Sequence, residues 1–249
     1  MSGKKRIDGE LAYILHSYPY SETSLILDVF SREHGRLPLL ARGARRPRSA
    51  LRGVLQAFQP LELGWFGGGE VRTLAKAEWV GGVPLLGGTA LMLGYYLNEL
   101  LLKLLPRDDA HAALFDAYAL TMQALAGVAG DGDSQPARLR RFEKHLLGEL
   151  GYGLLLERDA QSGAPIQAER LYHYRIERGP VEINVADDDH GILATLKLRG
   201  KTLLDLARDD YSDARTLAES KSLMRMLINH HLAGQTLQSR RVFMELQEL

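Results

Sequence analysis

The chain of 249 residues is long enough for one large domain or two modest ones, and its 45% hydrophobic and 25% charged residues suit a buried core, so disorder is excluded as the default. Cysteine is absent, which excludes disulfides and thiolate metal sites and gives no reason to propose an oxidising compartment. The 31 basic and 31 acidic residues cancel, yet residues 1–80 carry 12 Lys and Arg against 8 Asp and Glu, and the remainder 19 against 23, so the two halves differ in sign.

Lys4, Lys5 and Arg6 are followed by Asp8 and Glu10 rather than by an apolar run, so the start does not read as a secretory signal. Residues 11–80 read as short strands, with alternation at Leu25, Leu27 and Val29 and a β-rich run from Leu37 to Ala41. Turn signals fall at Tyr18-Pro19, His34-Gly35, Gln59-Pro60 and Gly67-Gly68-Gly69, which predicts five short strands in an OB-like barrel.

After Pro84 the periodicity becomes helical. The apolar stretch from Leu85 to Leu105 is interrupted by Asn98, Glu99 and Lys103 and reads as a buried core helix rather than a membrane span, capped by Thr89 and stopped by Pro106. A second helix starts after Asp108 or Asp109 and runs to Gly127, with Leu114, Phe115, Tyr118, Met122 and Leu125 on one face. A loop over Gly127 to Gln135 leads to a third helix, with Pro136 in its first turn and Leu139, Phe142, Leu146 and Leu150 as its apolar stripe. Residues 171–185 alternate around Arg178-Gly179-Pro180 as a β-hairpin, followed by an acidic loop at Asp187 to Asp189. A short helix near Leu203 to Arg208 and a longer one from about Asp213 to Ala233, stopped by Gly234, complete the chain. The fold class is therefore α+β: an OB-fold β-barrel over residues 1–82, then a mainly α-helical domain over 83–249 with a small β-hairpin insertion.

No acidic residue occurs between His34 and Leu61, while Arg36, Arg42, Arg45, Arg46, Arg48 and Arg52 all lie there. Uncompensated guanidinium groups on a small barrel make a strip of positive potential that suits a polyphosphate backbone, although a basic run is also what a merely solvated face looks like. Tyr13, Tyr18, Tyr20, Phe30, Phe58, Trp65 and Phe66 are candidate base platforms, most of them needed inside so small a barrel.

The run from Ala12 to Leu37, then Ala41-Arg42-Gly43-Ala44-Arg45-Arg46 and Leu55-Gln56-Ala57-Phe58, resembles the N-terminal domain of the bacterial RecO family. The likeness continues through Tyr96 to Leu101, Leu139 to Glu143, Leu150 to Gly153 and Ser239-Arg240, and so spans nearly the whole chain. It implies a cytoplasmic, nucleoid-associated and non-enzymatic protein of DNA repair and recombination. Such a protein binds single- and double-stranded DNA, anneals strands coated by single-stranded DNA-binding protein, and with RecR helps load the RecA recombinase. The turn from Arg42 to Arg48 matches the family's DNA-contacting region. On the third helix, Arg138, Arg140, Arg141 and Lys144 beside the apolar stripe suit the acidic C-terminal tail of single-stranded DNA-binding protein. The residues alone favour an ordinary amphipathic helix; the resemblance at Arg140 and Arg141 favours the tail, with Arg140, Arg141 and Lys144 as its contacts.

Many members of that family carry a four-cysteine zinc site. Here Asp159 and Ser162 stand where a cysteine pair would, so no zinc and no cofactor are expected. Two rival readings stay open. One is a generic OB-fold RNA-binding module, and the other is an enzyme with its site in the helical domain, which would need a polar pocket there. The scattered histidines, Gly67 to Gly69 and Asp187 to Asp189 match no metal, phosphate-loop or calcium pattern.

Overall fold

The computed structural model describes residues 6–128, 134–183 and 196–247, with side chains through Val242. Five strands, β1 (Arg6–Tyr20), β2 (Ser24–Ser31), β3 (Gly35–Ala41), β4 (Leu61–Phe66) and β5 (Arg72–Trp79), close into a barrel in the order β1-β2-β3-β5-β4. All pairings are antiparallel except β3 with β5, and this is the OB-like barrel that the alternation predicts. Inside it Ala12, Ile14, Leu27, Val29, Leu37, Leu39, Leu61, Leu63 and Trp65 form one apolar cluster. The fully covered Leu27, Val29, Leu37 and Leu39 show the strict two-residue period that points every other side chain inward.

Tyr18-Pro19 is not a turn. It lies within β1, and the hairpin reverses one step later through Ser21, whose φ is 50°. Proline is tolerated at position 19 because this end of β1 pairs with β2 alone, β4 having paired only as far as Ala12. Gly35, at φ 65°, is obligatory: a Cβ there would lie 1.9 Å from the Asp109 carbonyl oxygen.

Helices α1 (Gly88–Leu104) and α2 (Ala112–Leu125) follow. Thr89 is not the cap of α1. Gly87 occupies that position and makes no side-chain capping bond. The buried Asn98 amide donates to the Leu15 carbonyl at 2.9 Å and accepts from the Tyr118 hydroxyl at 2.6 Å, so one polar residue ties α1 to both β1 and α2 with each of its functions used. Glu99 accepts from the Gln238 and Ser239 N–H groups and the Ser239 hydroxyl, and so caps α6 (Gln238–Gln247) from outside. Residues that break the apolar pattern of this stretch are thus its tertiary fasteners. Residues 1–131 and 236–249 make one compact unit.

Residues 132–235 make a second. It contains α3 (Gln135–Glu149), β6 (Leu171–Arg175), β7 (Gly179–Glu182), β8 (Leu196–Arg199), α4 (Gly200–Ala207) and α5 (Ala214–His231). The expected hairpin is present as β6 and β7, and β8 adds to its other side to give a three-stranded sheet, β7-β6-β8. Ser134 caps α3 by accepting from the Ala137 N–H, with proline in the first turn, and Asp213 caps α5 by accepting from the Arg215 N–H. The loops at residues 129–133 and Asp187 to Asp189 lie outside the described residues. Among the described residues, no helix is long and apolar enough to cross a membrane.

Candidate nucleic-acid interface

After β3 the chain turns through Gly43, at φ 68°, into a loop whose residues divide by type. Ala44 is buried in the barrel cluster, and Leu51, Val54 and Leu55 pack against it. The backbone is held by bonds from the Arg45 N–H to the Thr23 carbonyl at 2.8 Å, Arg46 to Gly43 at 3.1 Å and Ser49 to Arg46 at 3.0 Å. A short 3-10 turn, Ala50–Gly53, follows. Anchored from within, the loop presents Arg42, Arg45, Arg46, Arg48 and Arg52 outward, and all five are exposed. None of the five forms an ion pair among the described residues; the Arg45 guanidinium donates to the Ser21 carbonyl at 3.3 Å. Five charged groups exposed on one loop give a local excess of positive charge of the kind that suits a phosphate backbone.

Arg36 is placed elsewhere. Its Nε donates to the Leu105 carbonyl at 3.0 Å, and its guanidinium lies 3.6 Å from the buried Asp28 carboxylate, which Arg107 approaches to 3.8 Å. Burial pushes the Arg36 pKa down, Asp28 opposes this and Arg107 adds to it. The neighbouring Tyr18 hydroxyl is pushed up by burial and by Asp28, against the two arginines. Arg36 thus belongs to a second cationic cluster rather than to the loop strip. Sequence reasoning missed Arg107, because it stands beside Asp108 and Asp109 and looks neutralised; in the structure Asp108 pairs with Arg72 at 2.6 Å instead.

In the second unit, Arg140 is 7% exposed and pairs with the buried Glu143 at 2.9 Å, so its charge is engaged inside the helix packing. Arg141 donates to the Asp209 carbonyl and lies over the Tyr211 ring at 5.8 Å, while Lys144 pairs with the Asp209 carboxylate at 2.7 Å. The covered face of α3 runs through Ala137, Arg140, Phe142, Glu143, Leu146 and Leu147, with Leu139 and Leu150 only partly covered, so it is rotated from the apolar stripe read in the sequence. A cavity of about 740 Å³ in this unit is lined by Lys144, His145 and Asp159 among others. Its Lys144 is paired with Asp209, and its Asp159 is held by backbone N–H groups.

Two family models match the chain in sequence: recombination protein O N terminal over residues 10–83, and recombination protein O C terminal over residues 87–241. The chain belongs to the RecO family. Among its RecO relatives, the "DNA repair protein RecO" of Dechloromonas aromatica is 58% identical, that of Aromatoleum aromaticum 57% and that of an Azoarcus species 56%, each over the full length of both chains.

The zinc pattern seen in many RecO proteins does not fit the residues here. Asp159 is 4% exposed, and its Oδ1 accepts from the Gln161 and Ser162 N–H groups and the Ser162 hydroxyl, while its Oδ2 accepts from the Glu182 N–H at 2.6 Å. Its lone pairs are directed at donors, and the serine hydroxyl that would be a ligand is itself a donor to it. Burial pushes the Asp159 pKa up, but the bonds from Ser162, Glu182 and Gln161 outweigh this and hold it below the usual carboxylate value. Among the described residues, no group of three or more His, Asp or Glu stands close enough to hold a metal.

Proposed function

We propose that this RecO-family protein is a non-catalytic DNA-binding mediator of DNA repair and recombination, which holds DNA through the arginine loop, anneals complementary strands and, with RecR, helps load the RecA recombinase. The observation that carries the reading is the set of five exposed guanidiniums on the loop from Arg42 to Arg52, none with a described carboxylate partner. Family membership and relatives named as DNA repair proteins support the biological setting. Phosphate contacts carry little sequence information, which is what annealing arbitrary strands requires. The second unit captures the acidic tail of single-stranded DNA-binding protein through Arg141 and Lys144, which lie beside the partly exposed Asp209, while Arg140 supports the helix from inside. Bringing a coated strand and a bare strand to one molecule raises their effective concentration without covalent chemistry.

The test is binding of labelled oligonucleotides by Arg42→Ala/Arg45→Ala/Arg46→Ala across a salt series. Each phosphate that the protein no longer neutralises lowers the slope of log affinity against log salt by about 0.7 for a single strand, so the triple variant is expected to lose about two units of slope together with most of its affinity at moderate salt. Binding and slope equal to the parent's overturn the reading. Competition with RNA of equal length separates it from the RNA-module alternative, since an RNA-binding module would favour the strand bearing 2′-hydroxyls.

A further inference from the structure

Of the seven candidate aromatic platforms, Phe66 is half-buried and the other six separate into two groups. Tyr13, Phe30, Phe58 and Trp65 are buried, whereas Tyr18 and Tyr20 are 44% and 51% exposed. Both exposed rings lie on the outer face of the barrel, as the pairing shows. On β2, Leu27 and Val29 point into the core, so Ser24, Ile26, Asp28 and Phe30 point outward, and their partners on β1 are Tyr20, Tyr18, His16 and Tyr13. One end of this face is covered, because Tyr13 and Phe30 pack on Phe115 and Tyr118 of α2 at 5.0 to 6.2 Å. The other end, from Tyr18 to Tyr20, keeps its aromatic surface in solvent.

That bare end is bounded by cations on both sides. Next to Tyr20, the hairpin turn accepts from Arg45 twice, through the Thr23 and Ser21 carbonyls, which sets the arginine loop against the end of β1. Beyond Tyr18 opens a cavity of about 800 Å³, with Asp28, Arg36, Tyr95 and Arg107 among its lining residues. Asp28 stands 3.6 and 3.8 Å from the two guanidiniums, longer than hydrogen bonds, so two cations share one carboxylate and the Arg107 side chain remains half exposed. His16 braces the Tyr18 ring edge-on, with centroids 4.4 Å apart.

We propose that the outer face of β1 from Tyr20 to Tyr18 is a base-stacking track for single-stranded DNA, leading from the arginine loop to the Arg36 and Arg107 cavity, and that it makes the barrel bind an unpaired strand more tightly than the arginine loop alone would. The proposal rests on the DNA-binding reading above and adds the element that tells single from double strands. Rings two residues apart on one strand face are separated by about 6.8 Å, twice the rise of about 3.4 Å between stacked bases in a duplex. Successive bases therefore reach successive rings only when they leave their own stack, which an extended single strand does readily and a paired one does not. Arg42 and Arg45 hold phosphates on one side of the rings and Arg107 on the other, so the strand is gripped at both ends of the track. Stacking of this kind accepts any base, in keeping with an annealing role.

The test uses the full chain with Tyr18→Ala, Tyr20→Ala and the double variant, each checked for parental circular dichroism and melting temperature. Affinity is measured for an oligonucleotide, for its duplex, and for the same strand with abasic positions. Removing each ring is expected to weaken single-strand binding about ten-fold while duplex affinity and the salt slope stay at the parental values. Abasic DNA should cost the parent as much and the double variant little. In Tyr20→Trp the indole emission should be quenched by the single strand and not by the duplex. Unchanged single-strand affinity, or equal losses on both substrates, overturns the track. The arginine loop is judged separately by its own triple variant: if that variant weakens binding and the tyrosine variants do not, only the track fails, and if it binds like the parent, the DNA-binding reading itself fails.

Discussion

The loop from Arg42 to Arg52 and the helix segment from Arg138 to Lys144 are both dense in cations, yet the fold treats them in opposite ways. In the loop, small and apolar residues turn inward and backbone carbonyls close the turns, so the guanidiniums are the groups left over for solvent. In α3, a repeat of 3.6 residues carries Arg140 onto the covered face, where Glu143 meets it from the next turn, and Lys144 reaches Asp209. Charge density along a sequence is therefore a poor guide to free charge unless the local backbone is known. A turn leaves cations unpaired; a helix brings partners to them at fixed intervals.

The comparison is broken most severely at Glu143. Glu143→Ala leaves the buried Arg140 without the carboxylate that offsets its desolvation, and a cost of about 3 to 5 kcal/mol in urea-denaturation stability is expected, with DNA affinity of the surviving folded protein unchanged. If stability falls by much less, Arg140 is solvated and the contrast between loop and helix fails.

A middling effect is expected at Asp159. Its carboxyl is held below the ordinary carboxylate pKa in the folded chain, so the stability it contributes is present at neutral pH and is lost as the pH falls from about 4 through the depressed folded-state value. Asp159→Asn turns an amide N–H toward one of the backbone donors, at a cost of about 1 to 3 kcal/mol, and should flatten this acid limb in a series of melts. A chelator should leave the melting temperature of the parent unmoved.

The smallest effect on stability is expected in the loop itself. Alanine at Arg42, Arg45 and Arg46 should shift unfolding by no more than about 0.5 kcal/mol per site, because exposed, unpaired side chains contribute little to the fold. A larger loss would mean that these residues support the barrel, and that weakened DNA binding in the same variant has a trivial cause.

Much of the fold was legible. Alternation at Leu25, Leu27 and Val29 and the helix signals at Pro136, Asp213 and Gly234 are local in origin, and the elements they predict are present. The misreadings share a cause. Pro19 looks like a turn until it is known that β4 pairs with β1 only as far as Ala12 and leaves the far end of β1 with β2 alone, and β8 is four residues held by a distant pairing with β6 and by Glu219 of α5. Of the candidate site, the arginine loop was legible as a run without acids; Arg107 was not, because the acidic neighbour that seems to cancel it pairs with Arg72.

By itself the sequence determined the barrel strands, the β6–β7 hairpin, the helices from α1 to α5, the basic stretch and the RecO likeness, since these depend on side-chain period and on residue identity along the chain, whereas β8 and α6 were not read from it. Only the tertiary structure decided which cations remain unpaired, which tyrosines face solvent and how Asp159 spends its lone pairs. Each of these is settled by groups far apart in sequence that barrel closure and helix packing bring within a few ångströms.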